Sequence, residues 1–296
     1  MLKEQYISDN GIIIRDKVKM AIDRIKFAYE VSQNRGMGAL YVAFSGGKDS
    51  TVLAELVKLS GVPYELHYNI TGVDPPEVIY FMRKNYSELH WDKYKKSMFR
   101  LIIENHIPPT QLIRYCCLNL KERGGEGKIC LTGVRAAESV KRSKRKPFEK
   151  VVLKEREKFL FNDNDGDRRL WESCVKKGKD VVNPIIDWTE SDVWEFIKSR
   201  NIPYCKLYDE GFKRIGCIGC PMATTKERLK EFARYPKYKQ NYIMTFEKML
   251  KNMTRPSNWK TGEEVFDWWI KDKSKNSPIK GQTEMSFEKE KEDDKQ

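Results

Sequence analysis

The sequence has no long apolar segment. No run of 18 or more apolar residues, the length that a membrane-spanning helix needs, occurs among its 296 residues. Its amino-terminal stretch, MLKEQYISDNGIIIRDK, also lacks the unbroken apolar core and the small-residue cleavage site of a signal peptide. We therefore expect a cytoplasmic protein without a membrane partner. A chain of this length can bury a sizeable core and needs no cross-links to fold.

The cysteines do not suit a disulfide framework. Their number, seven, is odd, and a chain without an export signal is expected to keep its thiols reduced. We interpret them as thiols or metal ligands. Their spacing therefore carries more information than their number.

Acidic residues are too few to balance the basic ones, and the formal net charge is +13. Such a charge attracts polyanions, which include nucleotides, RNA and DNA. Lysines dominate the excess and are spread along the chain, so a solvated basic surface explains the charge equally well. One local cluster, VKRSKRKPFEK at 140–150, is the candidate for a contact with nucleic acid.

Strand patterns alternate with helix patterns along the first two thirds of the chain. Apolar residues recur at helical spacing over 15–33, and the stretches ALYVAF at 39–44, YELHYNI at 64–70 and KICLTGV at 128–134 have strand composition. TESDVWEFIKSRN, from Thr189, is typical of a capped helix. The alternation predicts an α/β fold with a doubly wound parallel sheet. Its ligand site is expected at the carboxyl ends of the strands, where Gly-containing loops follow.

The loop SGGKDS at 45–50 lies between a predicted strand and a predicted helix. Free backbone N–H groups and the positive end of a helix dipole meet at such a point, which favours a bound phosphate. Gly46 and Gly47 allow the backbone to approach an anion, and Lys48 adds a mobile positive charge. Ser45 and Ser50 supply hydroxyl donors. A glycine-rich turn without a ligand is the alternative reading.

Asp49 is the unexpected member of this loop, because a carboxylate repels phosphate. It fits there if a magnesium ion lies between them or if its side chain caps the helix. The spacing does not match GxxxxGK[ST], which argues against a kinase-like P-loop. It resembles the PP-loop, SGGxDS, of the N-type ATP pyrophosphatases, which cleave ATP between the α and β phosphates.

Further motifs extend the resemblance over roughly residues 36–225. In order and spacing they are similar to the successive motifs of the phosphoadenosine phosphosulfate (PAPS) reductase family: NITGVDPPEVIYFM at 69–82, RYCCLNLKE at 114–122, TGVRAAESVKR at 132–142 and NPIIDWTESDVWEFI at 183–197. The resemblance implies an adenine nucleotide alpha hydrolase-like fold and ATP or a related adenine nucleotide as the ligand. It defines a PP-loop domain at 36–225. Residue patterns give the other boundaries, which are an amino-terminal helix at 1–35, a polar insertion or lid at 154–180, a helical carboxyl-terminal part at 226–273 and a disordered charged tail at 274–296.

The same resemblance places further residues at the nucleotide. Thr71 and Gly72 would border the adenosine. A second group, after the strand KICLTGV, would face the reacting phosphate or sulfate; it consists of Gly133, Arg135, Glu138, Ser139 and Arg142. From its position at a strand end, Arg135 can make bidentate contacts to an oxyanion. The alternative is an ordinary surface arginine at the start of a helix.

Four cysteines form two pairs, Cys116 with Cys117 and Cys217 with Cys220 in GCIGCP. A CxxC turn with glycines lets two thiolates converge on one metal, and a second pair completes a four-sulfur site. The pattern resembles that of the assimilatory adenylylsulfate (APS) reductases, in which these cysteines hold a 4Fe-4S cluster. Zinc and unligated thiols are the alternatives. Cys205 is near enough in sequence to replace a ligand.

Two features depart from the sulfonucleotide reductases. Their loop lacks the lysine that this chain has as Lys48, and their nucleophilic cysteine lies in an ECGxH tail, whereas no cysteine follows Cys220 here. Both differences favour ATP as the substrate. We expect adenylyl transfer with Mg²⁺, in which Lys48, Asp49 and Arg135 are the catalytic residues and pyrophosphate is released. Sulfur delivery of the nucleic-acid thiolation or phosphorothioation type could follow, with a nucleic acid or a sulfur-carrier protein as candidate partner.

Two other functions stay open at this point. One is reduction of PAPS or APS to sulfite, in which Cys174 or the thiol of another protein replaces the tail cysteine. The other is a nucleotide-binding regulatory module without turnover, which would need neither Arg135 nor a cluster.

Overall fold

The computed structural model describes residues 2–8, 11–122, 124–152, 157–174 and 178–271. These residues form two compact units. The first consists of the described residues within 1–98 and 116–218, and the second of those within 99–115 and 219–271. Within the described ranges, no helix combines the length and the hydrophobicity required to cross a membrane.

The strands and helices follow one another in an alternating order over most of the chain. They are β1 (Lys3–Ser8), β2 (Gly11–Asp16), α1 (Lys17–Asn34), β3 (Leu40–Ala43), α2 (Lys48–Ser60), β4 (Tyr64–Asn69), α3 (Pro76–Asn85), β5 (His90–Asp92), α4 (Met98–Asn105), α5 (Tyr115–Leu120), β6 (Ile129–Leu131), α6 (Val140–Ser143), β7 (Phe148–Val152), β8 (Glu157–Phe161), α7 (Asp165–Glu172), β9 (Lys179–Val182), α8 (Glu190–Ser199), α9 (Thr225–Arg234), α10 (Pro236–Lys251) and α11 (Gly262–Lys271).

A mixed sheet organises the first unit. Its strands lie in the order β5-β4-β3-β6-β9-β7-β8, and β1 pairs with β2 as a separate antiparallel hairpin. Neighbouring strands are parallel among β5, β4, β3, β6 and β9. At the other edge, β7 pairs antiparallel with both β9 and β8. The predicted α/β fold with a mostly parallel sheet is confirmed. The three predicted strands correspond to β3, β4 and β6, and the predicted helices over 15–33 and after Thr189 correspond to α1 and α8.

The large apolar core lies on one face of this sheet. Side chains alternate between the two faces along each strand, so every second residue of a strand enters the core. In β3, Leu40 and Val42 are fully buried in a large cluster with residues of α1 and α2. Tyr41 faces the other side, where only a small apolar cluster with Cys130 forms among the described residues. Each fully buried aliphatic side chain contributes about 1.5–3 kcal/mol. These contacts hold α2 against the sheet and so position its amino terminus.

The polar segment 154–180 has regular structure where it is described. It contains β8, which is the edge strand of the sheet, the helix α7 and the start of β9, which lies between β6 and β7. Trp171 of α7 is fully buried and packs against Phe27 and Phe148, with ring centroids 6.0 Å and 5.1 Å away. One buried aromatic ring anchors an otherwise polar helix, which is why apolar periodicity did not reveal it.

The second unit is helical and has an aromatic core of its own. Phe99 contacts Tyr242, and Trp269 contacts Phe232 and Phe246, with centroids 5.4–6.1 Å apart. The Trp269 indole N–H donates to the carbonyl of Pro109 at 2.8 Å, which ties residues 99–115 to α11. The sequence pattern placed 99–115 within the α/β domain. Contacts between residues distant in sequence leave no local pattern that could have indicated the helical unit. The tail predicted at 274–296 lies outside the described residues.

Candidate functional site

The candidate site lies at the point where the strand order of the sheet reverses. From β3 the chain crosses over α2 to β4 on one side, whereas β6 pairs with β3 on the other side. Ligands bind in the crevice that opens at such a switch point, at the carboxyl ends of the strands. The loop at 44–47 follows β3, and the loop at 132–135 follows β6. The fold therefore brings the two predicted phosphate-facing loops together.

Glycines allow these loops to pack closely. Gly46 has φ of +71°, and a Cβ there would lie 2.7 Å from Cγ1 of Val78. A Cβ on Gly133 would lie 2.9 Å from the carbonyl carbon and oxygen of Asp49. No larger residue fits either position without a shift of its neighbours. Gly133 thus serves the contact between the β6 loop and the first turn of α2.

The first turn of α2 presents backbone amides at the loop. Intrahelical bonding begins where the Thr51 N–H donates to the Gly47 carbonyl at 2.9 Å, so the amides of residues 48–50 precede the helical ladder. The Ser50 hydroxyl donates to the same carbonyl at 2.8 Å and accepts the Ser45 N–H at 3.2 Å. The two serine hydroxyls lie 3.2 Å apart. Ser50 therefore braces the loop.

Asp49 pairs with Arg135 across the two loops. The Arg135 Nε donates to Asp49 Oδ1 at 2.6 Å, and the arginine side chain is only 3% exposed. The other carboxylate oxygen lies 3.8 Å from the Lys48 ammonium. The helix is capped by Gly47 without a side-chain bond, so the predicted capping role of Asp49 is wrong. The expected contact of Asp49 with a magnesium ion stays a prediction.

Arg135 thus contacts Asp49, and its predicted contact with the reacting phosphate or sulfate stays a prediction. Its guanidinium also donates to the Trp188 carbonyl at 3.5 Å, and it is held in the protein rather than on a free surface. This excludes the ordinary surface arginine considered above. By neutralising Asp49, it removes the repulsion that a carboxylate would exert on a phosphate bound to this loop.

Lys48 is buried at the same helix terminus. The residue is 6% exposed, and its ammonium donates to the carbonyl of Lys213 at 3.3 Å. The carboxylate of Glu190 lies 3.8 Å from it, and the ring of Tyr208 has its centroid at 5.3 Å. These contacts hold a positive charge beside the amides of α2.

Sequence reasoning missed Tyr208, Lys213 and Glu190. The hydroxyl of Tyr208 accepts the backbone N–H of Lys48 at 2.9 Å. Burial raises the pKa of Tyr208 above its ordinary value, because a phenolate would lose its hydration there. Within the stretch IPYCKLYDEGF, only Cys205 was a candidate functional residue, as a replacement metal ligand. A separation of 160 positions between Lys48 and Tyr208 gives no local pattern that could have revealed the contact.

Thr71 and Gly72 form a turn at the carboxyl end of β4. The Thr71 hydroxyl donates to Asp74 at 2.5 Å and accepts the Val73 N–H at 3.2 Å, and Gly72 has φ of +77°. The thiol of Cys217 lies 3.7 Å from the Thr71 hydroxyl. The proposed adenosine-bordering turn is thus in contact with the GCIGCP stretch.

The turn after Arg135 is tied together by its own polar groups. Glu138 accepts the Arg135 N–H at 3.0 Å and forms an ion pair with Arg142. The Ser139 hydroxyl accepts the Arg142 N–H and caps α6. These three residues brace the turn that carries Arg135, and their predicted contact with a nucleotide stays a prediction.

The four cysteines of the predicted metal site lie in two parts of the chain. Cys116 and Cys117 lie on α5, Cys217 follows in the first unit, and Cys220 belongs to the second unit. In the described parts of the chain, no group of three or more His, Cys, Asp or Glu residues is placed to hold a metal ion. A four-sulfur centre at these thiols therefore stays a prediction.

The remaining cysteines have ordinary surroundings. Cys130 in β6 is buried, and desolvation raises the pKa of its thiol. Cys205 is buried at the start of a short 3-10 turn, and burial raises its pKa too. Cys174 is half-buried. Neither buried thiol has the lowered pKa that a nucleophilic cysteine needs.

The basic cluster at 140–150 is half neutralised within the protein, because three of its six basic residues pair with carboxylates. Arg145 makes two hydrogen bonds of 2.7 Å to the fully buried Glu149. Lys150 is buried against Asp180 at 2.7 Å. Lys141, Lys144 and Lys146 remain exposed. Fewer charges face solvent here than a nucleic-acid contact over the whole cluster would require.

One family model matches most of the chain. Residues 39–223 match the family described as "Phosphoadenosine phosphosulfate reductase domain". The chain is 30% identical over 249 residues to an uncharacterized protein of Methanocaldococcus jannaschii, covering 81% of this chain and 55% of that protein. It is 26% identical over 205 residues to the adenosine 5'-phosphosulfate reductase of Allochromatium vinosum, covering 64% and 71%.

A solved structure is also similar. The phosphoadenylyl-sulfate reductase of Candida auris, as a phosphate complex, aligns with a TM-score of 0.41 at 19% identity, over 72% of this chain and 96% of that one. The chain spans about half the length of its archaeal relative.

Proposed function

Because the chain belongs to the phosphoadenosine phosphosulfate reductase domain family, we propose that it binds ATP on the loop at 45–50 and cleaves it between the α and β phosphates. The products are an adenylylated acceptor and pyrophosphate. The observation that carries this proposal is the buried Lys48 at the amino terminus of α2. A fixed ammonium beside the first-turn amides of a helix suits the β and γ phosphates, which a sulfonucleotide substrate lacks.

The proposed reaction is an in-line displacement at the α-phosphorus. An acceptor oxygen forms the new bond to phosphorus, the bond to the bridging oxygen breaks, and the electron pair leaves with pyrophosphate. Lys48 and the first-turn amides of α2 stabilise the charge on that leaving group. Arg135 holds Asp49 neutralised and so keeps the site positive. The Mg²⁺ that accompanies ATP would supply further charge neutralisation on the phosphates.

The sulfur-related chemistry suggested by the family indicates what kind of oxygen accepts the adenylyl group. Activation of an oxygen by adenylylation prepares it for replacement by sulfur, as in thiolation or phosphorothioation of a nucleic acid. A nucleic acid and a sulfur-carrier protein are therefore the proposed partners.

A second function, reduction of APS or PAPS to sulfite, is favoured by the name of the Allochromatium vinosum relative. The two functions differ in the bond that is broken. Reduction leaves the 5'-phosphate on the nucleotide and needs no charge at the β and γ positions.

Two measurements distinguish ATP cleavage from reduction of APS or PAPS: nucleotide binding by isothermal titration calorimetry and the rate of pyrophosphate release. We expect ATP with Mg²⁺ to bind more tightly than APS or PAPS, and Lys48→Ala to lower the rate of pyrophosphate release roughly a hundredfold with a competent acceptor. Lys58→Ala is the matched control, because Lys58 lies on the same helix and is 42% exposed. Sulfite formation from APS that survives Lys48→Ala would establish the reductase instead.

The predicted 4Fe-4S cluster remains part of the proposal, with zinc as the alternative, and no step above depends on it. Its support is the thiol donor set of Cys116, Cys117, Cys217 and Cys220. Anaerobically purified protein should contain iron and sulfide, and Cys217→Ser should abolish both while Cys174→Ser should not. Colourless protein with one zinc per chain would reject the cluster.

A further inference from the structure

The hydroxyl of Tyr208 takes the place of an anion at the amino terminus of α2. It accepts the Lys48 N–H at 2.9 Å, and that amide is one of the donors that precede the helical ladder. The hydroxyl also borders Gly47, where a Cβ would lie 3.5 Å from it. The phenol oxygen therefore lies within the loop in which the phosphates are proposed to bind.

Packing holds the Tyr208 ring in this position. Trp194 of α8 meets the ring edge-on at 5.2 Å between centroids and 86° between planes. Tyr204 lies at 6.5 Å on another side, and the Lys48 ammonium is 5.3 Å from the ring centroid. An aromatic ring with these neighbours loses little further freedom when a ligand binds, which favours a preorganised contact.

The hydroxyl can donate as well as accept. A phenol has one O–H donor in addition to its acceptor lone pairs, and the amide of Lys48 occupies a lone pair. Burial raises the pKa of Tyr208, so the hydroxyl keeps its proton. Accepting a hydrogen bond polarises the O–H group and makes it a stronger donor. The backbone N–H of Lys48 is therefore occupied by the Tyr208 oxygen, and the O–H group of Tyr208 is the donor available to a ligand in its place.

We propose that Tyr208 is a phosphate-binding residue of this site, whose hydroxyl donates to a non-bridging oxygen of the pyrophosphate portion of the nucleotide while it accepts the Lys48 N–H. The proposal rests on the proposed ATP-binding function and adds a ligand from outside the SGGKDS loop. It also explains why Lys48 and Tyr208 pack together. One aromatic residue positions both the lysine charge and the donor beside it.

The test compares two conservative substitutions in one aromatic cluster. Tyr208→Phe removes only the hydroxyl and retains the ring beneath Lys48. Tyr204→Phe is the matched control, because its hydroxyl donates to Asp209 at 2.9 Å on the exposed side. Calorimetric titrations use inorganic pyrophosphate, ATP with Mg²⁺, and AMP.

We expect Tyr208→Phe to weaken pyrophosphate and ATP binding about tenfold, the usual effect of one hydrogen bond to a charged group, and to leave AMP binding unchanged. Tyr204→Phe should match the wild type for all three ligands. Unchanged pyrophosphate binding in Tyr208→Phe would assign the residue to packing. Tighter binding would show that the hydroxyl competes with the ligand. Either result overturns the inference.

The outcomes also separate this inference from the proposed function. If wild-type protein binds ATP and pyrophosphate but Tyr208→Phe does so equally well, only the role of Tyr208 fails. If the wild-type protein binds neither ligand, the ATP function fails and the inference fails with it.

Discussion

Replacement of Arg135 by methionine should lower the free energy of unfolding, because Asp49 would lose the partner of its ion pair. The ion pair joins Arg135 Nε to Asp49 Oδ1 at 2.6 Å, with the two side chains 3% and 20% exposed. Removal of one partner from a buried pair costs about 3–5 kcal/mol, because the other charge stays without compensation. Asp49 keeps one fifth of its surface in water and has the Lys48 ammonium at 3.8 Å. We therefore expect a loss of about 2–3 kcal/mol in the free energy of unfolding.

A double-mutant cycle isolates that pair from the effects of packing. The four proteins are the wild type, Arg135→Met, Asp49→Asn and the double variant, and urea unfolding followed by tryptophan fluorescence measures each free energy. In the double variant no unpaired carboxylate remains, so its stability should exceed that of Arg135→Met. The coupling energy should be about 1–2 kcal/mol.

The same four proteins test the electrostatic role at the ligand site. Pyrophosphate should bind Arg135→Met most weakly, because Asp49 then faces the phosphates without a counter-charge, and Asp49→Asn should restore part of the affinity. If the two substitutions are additive in both stability and binding, the pair is not coupled and the reasoning is refuted.

Two further changes are predicted from packing and charge. Arg145→Ala should lower the free energy of unfolding by about 3 kcal/mol, because Glu149, with a side chain that is 0% exposed, would lose its guanidinium partner. Replacement of the exposed Lys144 by alanine should change this free energy by less than about 0.5 kcal/mol. Equal losses of stability for the two variants in urea unfolding would contradict the assignment. Gly133→Ala should cost about 1–3 kcal/mol, because its Cβ would lie 2.9 Å from the backbone of α2. Gly216→Ala, with nothing within 4 Å of its Cβ, should be neutral, and matching thermal midpoints for these two glycine variants would show that the close approach is unimportant.

Local patterns predicted the framework of the site well. The strand before SGGKDS and the helix after it are β3 and α2, and Thr189 caps α8 through the reciprocal bonds expected of its sequence. These features depend on neighbours within a few positions, such as alternation along a strand or a hydroxyl near a helix start. Segment 154–180 was harder, because its anchor is the single residue Trp171.

Side-chain partners were less predictable than elements. For Asp49 the sequence indicated magnesium or a helix amide, and it gave no sign of the contact with Arg135, which lies 86 positions away. The cluster at 140–150 reads as a continuous basic patch, yet the fold supplies Glu149 and Asp180 as internal partners. The charge of a residue is visible in the sequence, whereas its counter-ion depends on which strands become neighbours.

The sequence alone was sufficient for the alternation of strands and helices, the glycine-rich loop between β3 and α2, and the family to which the motifs belong, because each of these depends on residues close together in the chain. Only the tertiary structure decided that β6 lies beside β3. That adjacency brings Arg135 to Asp49. The packing around α8 likewise places Tyr208 against Lys48 across 160 positions. Such contacts arise from burying apolar faces that are distant in sequence, and no local pattern encodes them.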